Sequence, residues 1–108
     1  MLKPTLFPIE YRTVAGDDCW LSPFYGRASA SISIHQYAGV DYRELFAIAE
    51  PIFRKYEGRP HWGKLHTLGA EDFAELYPRW DAFRAVRRRL DPSGKFLNAH
   101  LRHCQGEA

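Results

Sequence analysis

The segment 59–66 carries the densest set of side chains that could do chemistry. It places two imidazoles, an indole, an ammonium and a guanidinium around Gly63, in the order Arg-Pro-His-Trp-Gly-Lys-Leu-His. Glycine allows backbone conformations that a side chain would forbid, and a proline favours an extended residue before it. The segment could therefore hold His61 and Lys64 at fixed orientations in a binding site. The plainer interpretation is a surface loop in which Trp62 packs and the charged groups meet water.

A second set of polar side chains lies on two predicted strands. Glu10 and Arg12 are two residues apart in a predicted strand over residues 7–14, so both project from one face. A carboxylate that accepts from hydroxyls, beside a guanidinium that donates to an oxyanion, could bind a polar ligand. A surface ion pair worth about 0–1 kcal/mol explains the same spacing. The second predicted strand, residues 28–37, places His35 on its polar face, where a lone histidine is more often solvated than catalytic.

Two further groups of residues give weaker signals. His100, His103 and Cys104 fit no zinc-site spacing and have no second ligand pair, so we expect no metal site. Arg84 and the arginine run 87–89 could contact phosphate. The same predicted helix has an apolar stripe, however, which favours a solvated face for these arginines. The sequence has no glycine-rich phosphate loop and no nucleophile elbow.

The elements that must position these residues indicate an α+β fold. Each strand has one apolar and one polar face, as in antiparallel sheets with one solvated side. Three predicted helices follow the strands, which favours helices packed on one face of the sheet. The first is predicted to start at Asp41, with Glu44 completing a capping box, and to end at Gly58. The others are predicted over residues 70–76 and 79–90.

Length and composition indicate one soluble globular domain. The chain has 108 residues, of which 45% are hydrophobic and 26% charged, and its net charge of +2 is too small to indicate a nucleic-acid partner. No apolar run reaches the roughly 18 residues of a transmembrane helix, although peripheral membrane contact stays open. The N-terminus lacks the apolar region of a secretory leader. Cys19 and Cys104 form no disulfide framework, which favours a reducing, cytoplasmic compartment.

Three stretches together resemble the C-terminal part of the FAD-linked aldonolactone and alditol oxidases, which have the vanillyl-alcohol-oxidase fold. They are residues 9–27, residues 59–66 with their His-Trp-Gly-Lys core, and residues 77–102, which join an arginine-rich helix to Leu-Asp-Pro-Ser-Gly-Lys-Phe. They cover most of the chain in the family's order. The resemblance implies that residues 1–108 are a single unit, a C-terminal fragment of the substrate (cap) domain without the FAD-binding domain.

The resemblance also implies a substrate pocket that faces the flavin. The residues implied to line it are Glu10, Arg12, His35, His61, Trp62 and Lys64. Glu10, His35 and His61 would bind substrate. Arg12 and Lys64 would act as catalytic residues around the reacting alcohol and, together with Trp62, would contact the cofactor. Positive charge there would stabilise the reduced, anionic flavin.

These roles imply oxidation of a CH–OH group by hydride transfer to FAD. The substrate would be a sugar 1,4-lactone such as D-arabinono-1,4-lactone, or an alditol such as xylitol. The chain alone is expected to be inactive, and its partner would be an FAD-binding domain or subunit. The alternative is a non-catalytic module of the same fold that binds a sugar or a partner protein. Apolar surface left uncovered by an FAD domain would favour self-association.

Overall fold

The computed structural model of the chain describes residues 8–108 and confirms an α+β fold. Two strands are followed by four helices: β1 (Glu10–Val14), β2 (Ser29–Ser33), α1 (Arg43–Lys55), α2 (Ala70–Leu76), α3 (Trp80–Leu90) and α4 (Ala99–Gln105). In this part of the chain, none of the helices combines the length and the apolar character needed to cross a bilayer. The chain is thus a small hairpin followed by a helical unit.

β1 and β2 form an antiparallel hairpin whose two faces differ in polarity. Glu10 lies opposite Ser33 and Arg12 opposite Ser31, so one face is polar. Tyr11 lies opposite Ile32 on the other face. The predicted alternation is therefore confirmed, because the side-chain period of two holds throughout the paired residues.

Both strands are shorter than the sequence pattern indicates. β1 begins at Glu10, and Phe7, the predicted first residue of the strand, lies outside the described residues. β2 ends at Ser33, so His35 follows the strand instead of lying within it. The alternation of residue types continues past Ser33. However, Ser33 is paired with Glu10, the first residue of β1, so no residue of β1 lies opposite the positions after Ser33.

The apolar face of the hairpin is open to solvent. Ile9 is 64% exposed, Tyr11 65% and Ile32 44%. Exposed apolar surface of this kind commonly marks a contact with another protein or another part of the same protein. The expected self-association of the chain stays a prediction, to be measured by sedimentation.

The core lies among the helices and the segment that precedes α2. α2 packs against both α3 and α4. Its buried hydrophobic residues are Leu68, Phe73, Leu76, Tyr77, Trp80 and Cys104. Leu21, from the loop between β1 and β2, and Trp62, from the 59–66 segment, pack against this cluster. Much of the core is aromatic, and such ring pairs add about 0.5–1.5 kcal/mol each beyond their buried area.

α1 begins and ends differently from the prediction. Its first residue is Arg43, and the Asp41 carboxylate accepts a hydrogen bond from the Arg43 N–H over 3.0 Å just before the helix. The prediction that α1 starts at Asp41 is therefore wrong by two residues. At the other end, Glu57 adopts a positive φ of 56° and the Gly58 N–H donates to the Phe53 carbonyl. A Cβ at Gly58 would lie 2.9 Å from that carbonyl oxygen, so close approach requires the glycine.

α4 was not predicted, although its ends carry ordinary signals. The Asn98 side chain accepts a hydrogen bond from the Leu101 N–H over 2.8 Å, which satisfies one free donor of the first turn. Gly106, directly after the helix, has a φ of 65°. An asparagine before and a glycine after seven residues are the usual start and stop signals of a helix.

The turn after α3 is stabilised by Asp91, which yields a pH prediction. Hydrogen bonds from the N–H groups of Phe96 and Lys95 outweigh desolvation and lower the pKa of the Asp91 carboxyl. A carboxyl group whose pKa is lower in the folded state stabilises the fold at pH values above its unfolded-state pKa. This stabilisation is lost as the pH falls through the folded-state pKa. We expect Asp91→Asn to be less stable at neutral pH and to lose less stability on acidification.

Urea unfolding at neutral pH and below about pH 4 measures this effect. Asp81→Asn is the matched control. The Asp81 side chain is 96% exposed, and its ion-pair contact, to one Arg84 nitrogen, is long at 3.9 Å. Equal pH dependence in Asp91→Asn and the unmodified chain would show that the Asp91 turn does not act in this way.

Candidate functional site

The polar face of the hairpin brings Glu10, Arg12 and His35 together. The Arg12 guanidinium is ion-paired with Glu10, and the His35 Nε2 lies 4.0 Å from the other carboxylate oxygen of Glu10. The Arg12 side chain is 72% exposed and that of Glu10 39%, so both groups can reach a ligand from solvent. An exposed pair of this kind adds little to stability. Its chemical capacity is to accept from hydroxyls and donate to oxygens on one surface.

The 61–64 turn presents His61 and Lys64 to solvent. The Lys64 N–H donates to the His61 carbonyl over 3.1 Å, and the Gly63 N–H donates to the His61 Nδ1 over 3.0 Å. Both side chains belong to exposed residues. Within residues 8–108, no carboxylate lies at salt-bridge distance from the Lys64 ammonium. Lys64 thus offers an uncompensated positive charge.

Trp62 anchors this turn to the core. Its indole Nε1–H donates to the Leu21 carbonyl over 2.8 Å, and its ring stacks on Phe73 with centroids 4.7 Å apart. The ring also lies parallel to Trp80. The indole is therefore engaged with the protein, as the packing interpretation of the loop predicts. Cofactor contact by Trp62 stays a prediction.

Arg59 joins the turn to the loop between β1 and β2, a role that the sequence analysis missed. Its guanidinium donates to the carbonyls of Leu76 and Tyr25, each over 2.9 Å, and to that of Pro23 over 3.3 Å. It also lies over the ring of Tyr77 at 4.9 Å. These partners are distant in sequence, so no local pattern identifies them. One side chain thereby connects the hairpin's loop with the helical core.

The loop between the strands has a shape that its own residues set. The Asp17 carboxylate accepts from the Cys19 N–H over 3.0 Å and from the Ser22 hydroxyl over 2.5 Å. A Cβ at Gly16 would lie 2.7 Å from the backbone of Arg27, so the chain can pass there only with glycine. This loop therefore attaches both the hairpin and the 61–64 turn to the helical core. No hydrogen bond or ion pair in the described part of the chain joins Lys64 to Glu10 or Arg12.

Three metal-ligating side chains meet elsewhere, between the 59–69 segment and α4. The Cys104 Sγ lies 3.6 Å from the His100 Nε2, and the rings of His66 and His100 have centroids 5.3 Å apart. Burial, and then the neighbouring His100, lowers the pKa of His66, and burial raises the pKa of the Cys104 thiol. Sequence spacing points to His103 instead of His66, because His66 reaches this place only through the fold.

The arginine-rich face of α3 is largely occupied by the C-terminal residues. The Glu107 carboxylate pairs with Arg87 over 3.1 Å, with Arg88 over 2.9 Å and with Arg84 over 3.6 Å. These arginines therefore hold the end of the chain against α3.

Comparison with known proteins shows which family shares this sequence. Residues 3–104 match the family model described as D-arabinono-1,4-lactone oxidase. An L-gulono-1,4-lactone dehydrogenase from Mycobacterium tuberculosis is 50% identical over 103 residues, covering 95% of this chain and 24% of that protein. An L-gulonolactone oxidase from Bos taurus is 42% identical over 99 residues, covering 88% of this chain and 22% of that protein. An alditol oxidase from Streptomyces is 40% identical over 104 residues, covering 94% and 25%. The chain thus spans about a quarter of the length of these relatives.

Proposed function

The chain belongs to the D-arabinono-1,4-lactone oxidase family, and on that premise we propose that it is the substrate-side portion of an FAD-dependent oxidoreductase. The family is one of sugar lactone and alditol oxidoreductases and is FAD-linked. The proposed reaction is oxidation of a CH–OH group in a sugar 1,4-lactone, of the D-arabinono-1,4-lactone type, or in an alditol such as xylitol.

The observation that carries this proposal is the polar hairpin face with Glu10, Arg12 and His35. A polyhydroxylated substrate offers many donors and few charges, and the Glu10 carboxylate can accept from two hydroxyls at once. The adjacent Arg12 is ion-paired with that carboxylate and holds it in place. His61, exposed on the 61–64 turn, is proposed as a further hydroxyl-binding group.

The cationic side chains of this chain fit the cofactor that the family uses. FAD, when bound, supplies the hydride acceptor and becomes more negative on reduction. Arg12 and Lys64 are exposed cations, and Lys64 has no carboxylate partner in the described part of the chain, so both can stabilise that charge. In this proposal the flavin is held mainly by residues outside this chain.

The reacting alcohol loses a hydride from carbon and a proton from oxygen. Glu10 orients the neighbouring hydroxyls, while Lys64 and Arg12 surround the reacting oxygen. The His35 imidazole, on the same surface, is proposed to bind the substrate, and the hydroxyl proton leaves to water. Correct orientation of these groups matters because a small misplacement lowers the rate strongly.

We also propose the partner and the location of the chain. The partner is an FAD-binding domain or subunit, which would cover apolar side chains such as Ile9 and Tyr11. The proposed location is the cytoplasm, because Cys19 and Cys104 are both free thiols. A non-catalytic sugar-binding module is the second candidate, since a carboxylate–guanidinium pair can bind hydroxyls without redox chemistry.

Flavin retention by the chain alone tests where the cofactor is held. We expect FAD mixed with the purified chain to separate from it on gel filtration, leaving no visible flavin absorbance in the protein peak. The physical reason is that the chain offers cations but no glycine-rich cradle for the pyrophosphate. A flavin band that stays with the chain would contradict this part of the proposal.

The activity itself is tested in a chimeric protein, called the graft below. Residues 3–104 of this chain replace the matching quarter of the mycobacterial relative, which keeps that protein's remaining sequence. We expect the graft to retain flavin and to oxidise a sugar 1,4-lactone or an alditol. A folded, flavin-loaded graft that oxidises neither would favour the non-catalytic module.

A further inference from the structure

We propose that His66, His100 and Cys104 form a zinc-binding site that joins the 59–69 segment to α4. This proposal replaces the sequence-based expectation of no metal site and does not depend on the proposed oxidoreductase activity. One ligand atom from each residue lies within 4.8 Å of the other two. Imidazole nitrogen and thiolate sulfur are the ligands that zinc prefers.

The distances fit a tetrahedral zinc ion with little rearrangement. Zn–N bonds of about 2.0–2.1 Å and a Zn–S bond of about 2.3 Å place neighbouring tetrahedral ligands roughly 3.5 Å apart. The His100 Nε2 and the Cys104 Sγ are 3.6 Å apart, because residues four positions apart share one face of a helix. Only His66 has to approach, and it belongs to the connecting segment before α2 instead of to a helix.

The third ligand has a ring nitrogen without a hydrogen-bond partner. The His66 Nε2 is buried and has no hydrogen-bond partner, which is unusual for a buried polar atom.

Two existing contacts oppose the metal and limit its affinity: the hydrogen bond between Cys104 and His100, and one made by His66. The Leu68 N–H donates to the His66 Nδ1 over 3.2 Å, so the proton of the neutral ring lies on Nε2. Zinc at Nε2 moves that proton to Nδ1 and breaks the hydrogen bond. Each lost bond costs about tenfold in affinity, and the two N–H donors left facing each other at His66 Nδ1 and Leu68 add to that cost.

The site has an entrance and an open fourth position. His100 is exposed and Cys104 is fully buried, so the cluster lies at the edge of the core with one side toward solvent. A water molecule would complete the tetrahedron. Because His66 follows the 61–64 turn by two residues, bound zinc would also fix the segment that presents Lys64.

Titration of the full chain with Co²⁺ under reducing conditions tests the site. We expect one equivalent to give the intense visible bands of tetrahedral Co²⁺ and a thiolate-to-metal absorption in the near ultraviolet, both removed by Zn²⁺. His100→Ala should weaken binding by about 100-fold or more, because it deletes a direct ligand. His103→Ala, a neighbouring histidine on the same helix, is the matched control and should bind as the unmodified chain does.

Three results would overturn the proposal. They are no thiolate-to-metal band at stoichiometric Co²⁺, equal binding by His100→Ala and the unmodified chain, or equal weakening by His103→Ala. His100 is exposed, so its variant is expected to fold, and circular dichroism checks this. Cys104→Ser is a second test of the thiolate band only if it passes the same check, since Cys104 is buried in the core.

Discussion

Lys64→Ala and Arg12→Ala are each expected to lower kcat of the graft by about 100- to 1000-fold. Both cations are proposed to stabilise charge that develops during the reaction, and loss of one such group typically has an effect of this size. Neither residue is buried, so both variants should keep the fold. Steady-state oxidation of a lactone and of an alditol measures the loss.

Controls separate this effect from a general loss of positive charge. Arg43→Ala removes an exposed arginine at the start of α1, whose partner is Asp41, and should leave kcat unchanged. Glu10→Gln should raise KM more than it lowers kcat, because Glu10 is proposed to bind hydroxyls that do not react. Retained turnover in Lys64→Ala and Arg12→Ala would contradict the roles assigned to them.

Arg59→Ala is expected to lower the free energy of unfolding by about 2–4 kcal/mol, since hydrogen bonds that involve a charged group contribute more than neutral ones. The substitution leaves the carbonyls of Pro23, Tyr25 and Leu76 without their donor. It also removes the guanidinium from the face of Tyr77. Urea unfolding, followed by near-ultraviolet circular dichroism of the aromatic core, measures the change.

The matched control for Arg59 is again Arg43→Ala, which should change stability by less than about 0.5 kcal/mol. Arg59→Lys should fall between the two, because one ammonium cannot reach all three carbonyls in the planar arrangement of a guanidinium. If Arg59→Ala is as stable as the control, the loop between β1 and β2 is not held to the core by this residue.

The hairpin could be predicted because its signal is local. Alternation at Glu10, Tyr11 and Arg12 is a consequence of strand geometry, and the structure places these residues on the predicted faces. The ends of the strands could not be predicted from alternation, since pairing stops where the partner strand stops. α2 was predicted over its observed range because Tyr77-Pro78 marks its end. α4 has the same length, but the signals at its ends, Asn98 and Gly106, were not interpreted as a helix start and stop.

The site could be predicted only where its members are close in sequence. The exposure of His61 and Lys64 follows from the turn at Gly63, which the sequence indicates. Arg59 and His66 act on partners that the fold brings to them from other elements. No spacing rule connects residues 66 and 100, so the cluster with Cys104 required the structure.

The measurement that tests the central claim most directly is anaerobic reduction of the flavin in the graft by a single addition of substrate. This half of the reaction does not depend on which electron acceptor the protein uses. The account predicts that D-arabinono-1,4-lactone or xylitol bleaches the flavin band, and that Lys64→Ala slows the bleaching by about 100-fold or more. A folded, flavin-loaded graft whose absorbance neither compound changes would contradict the proposed function.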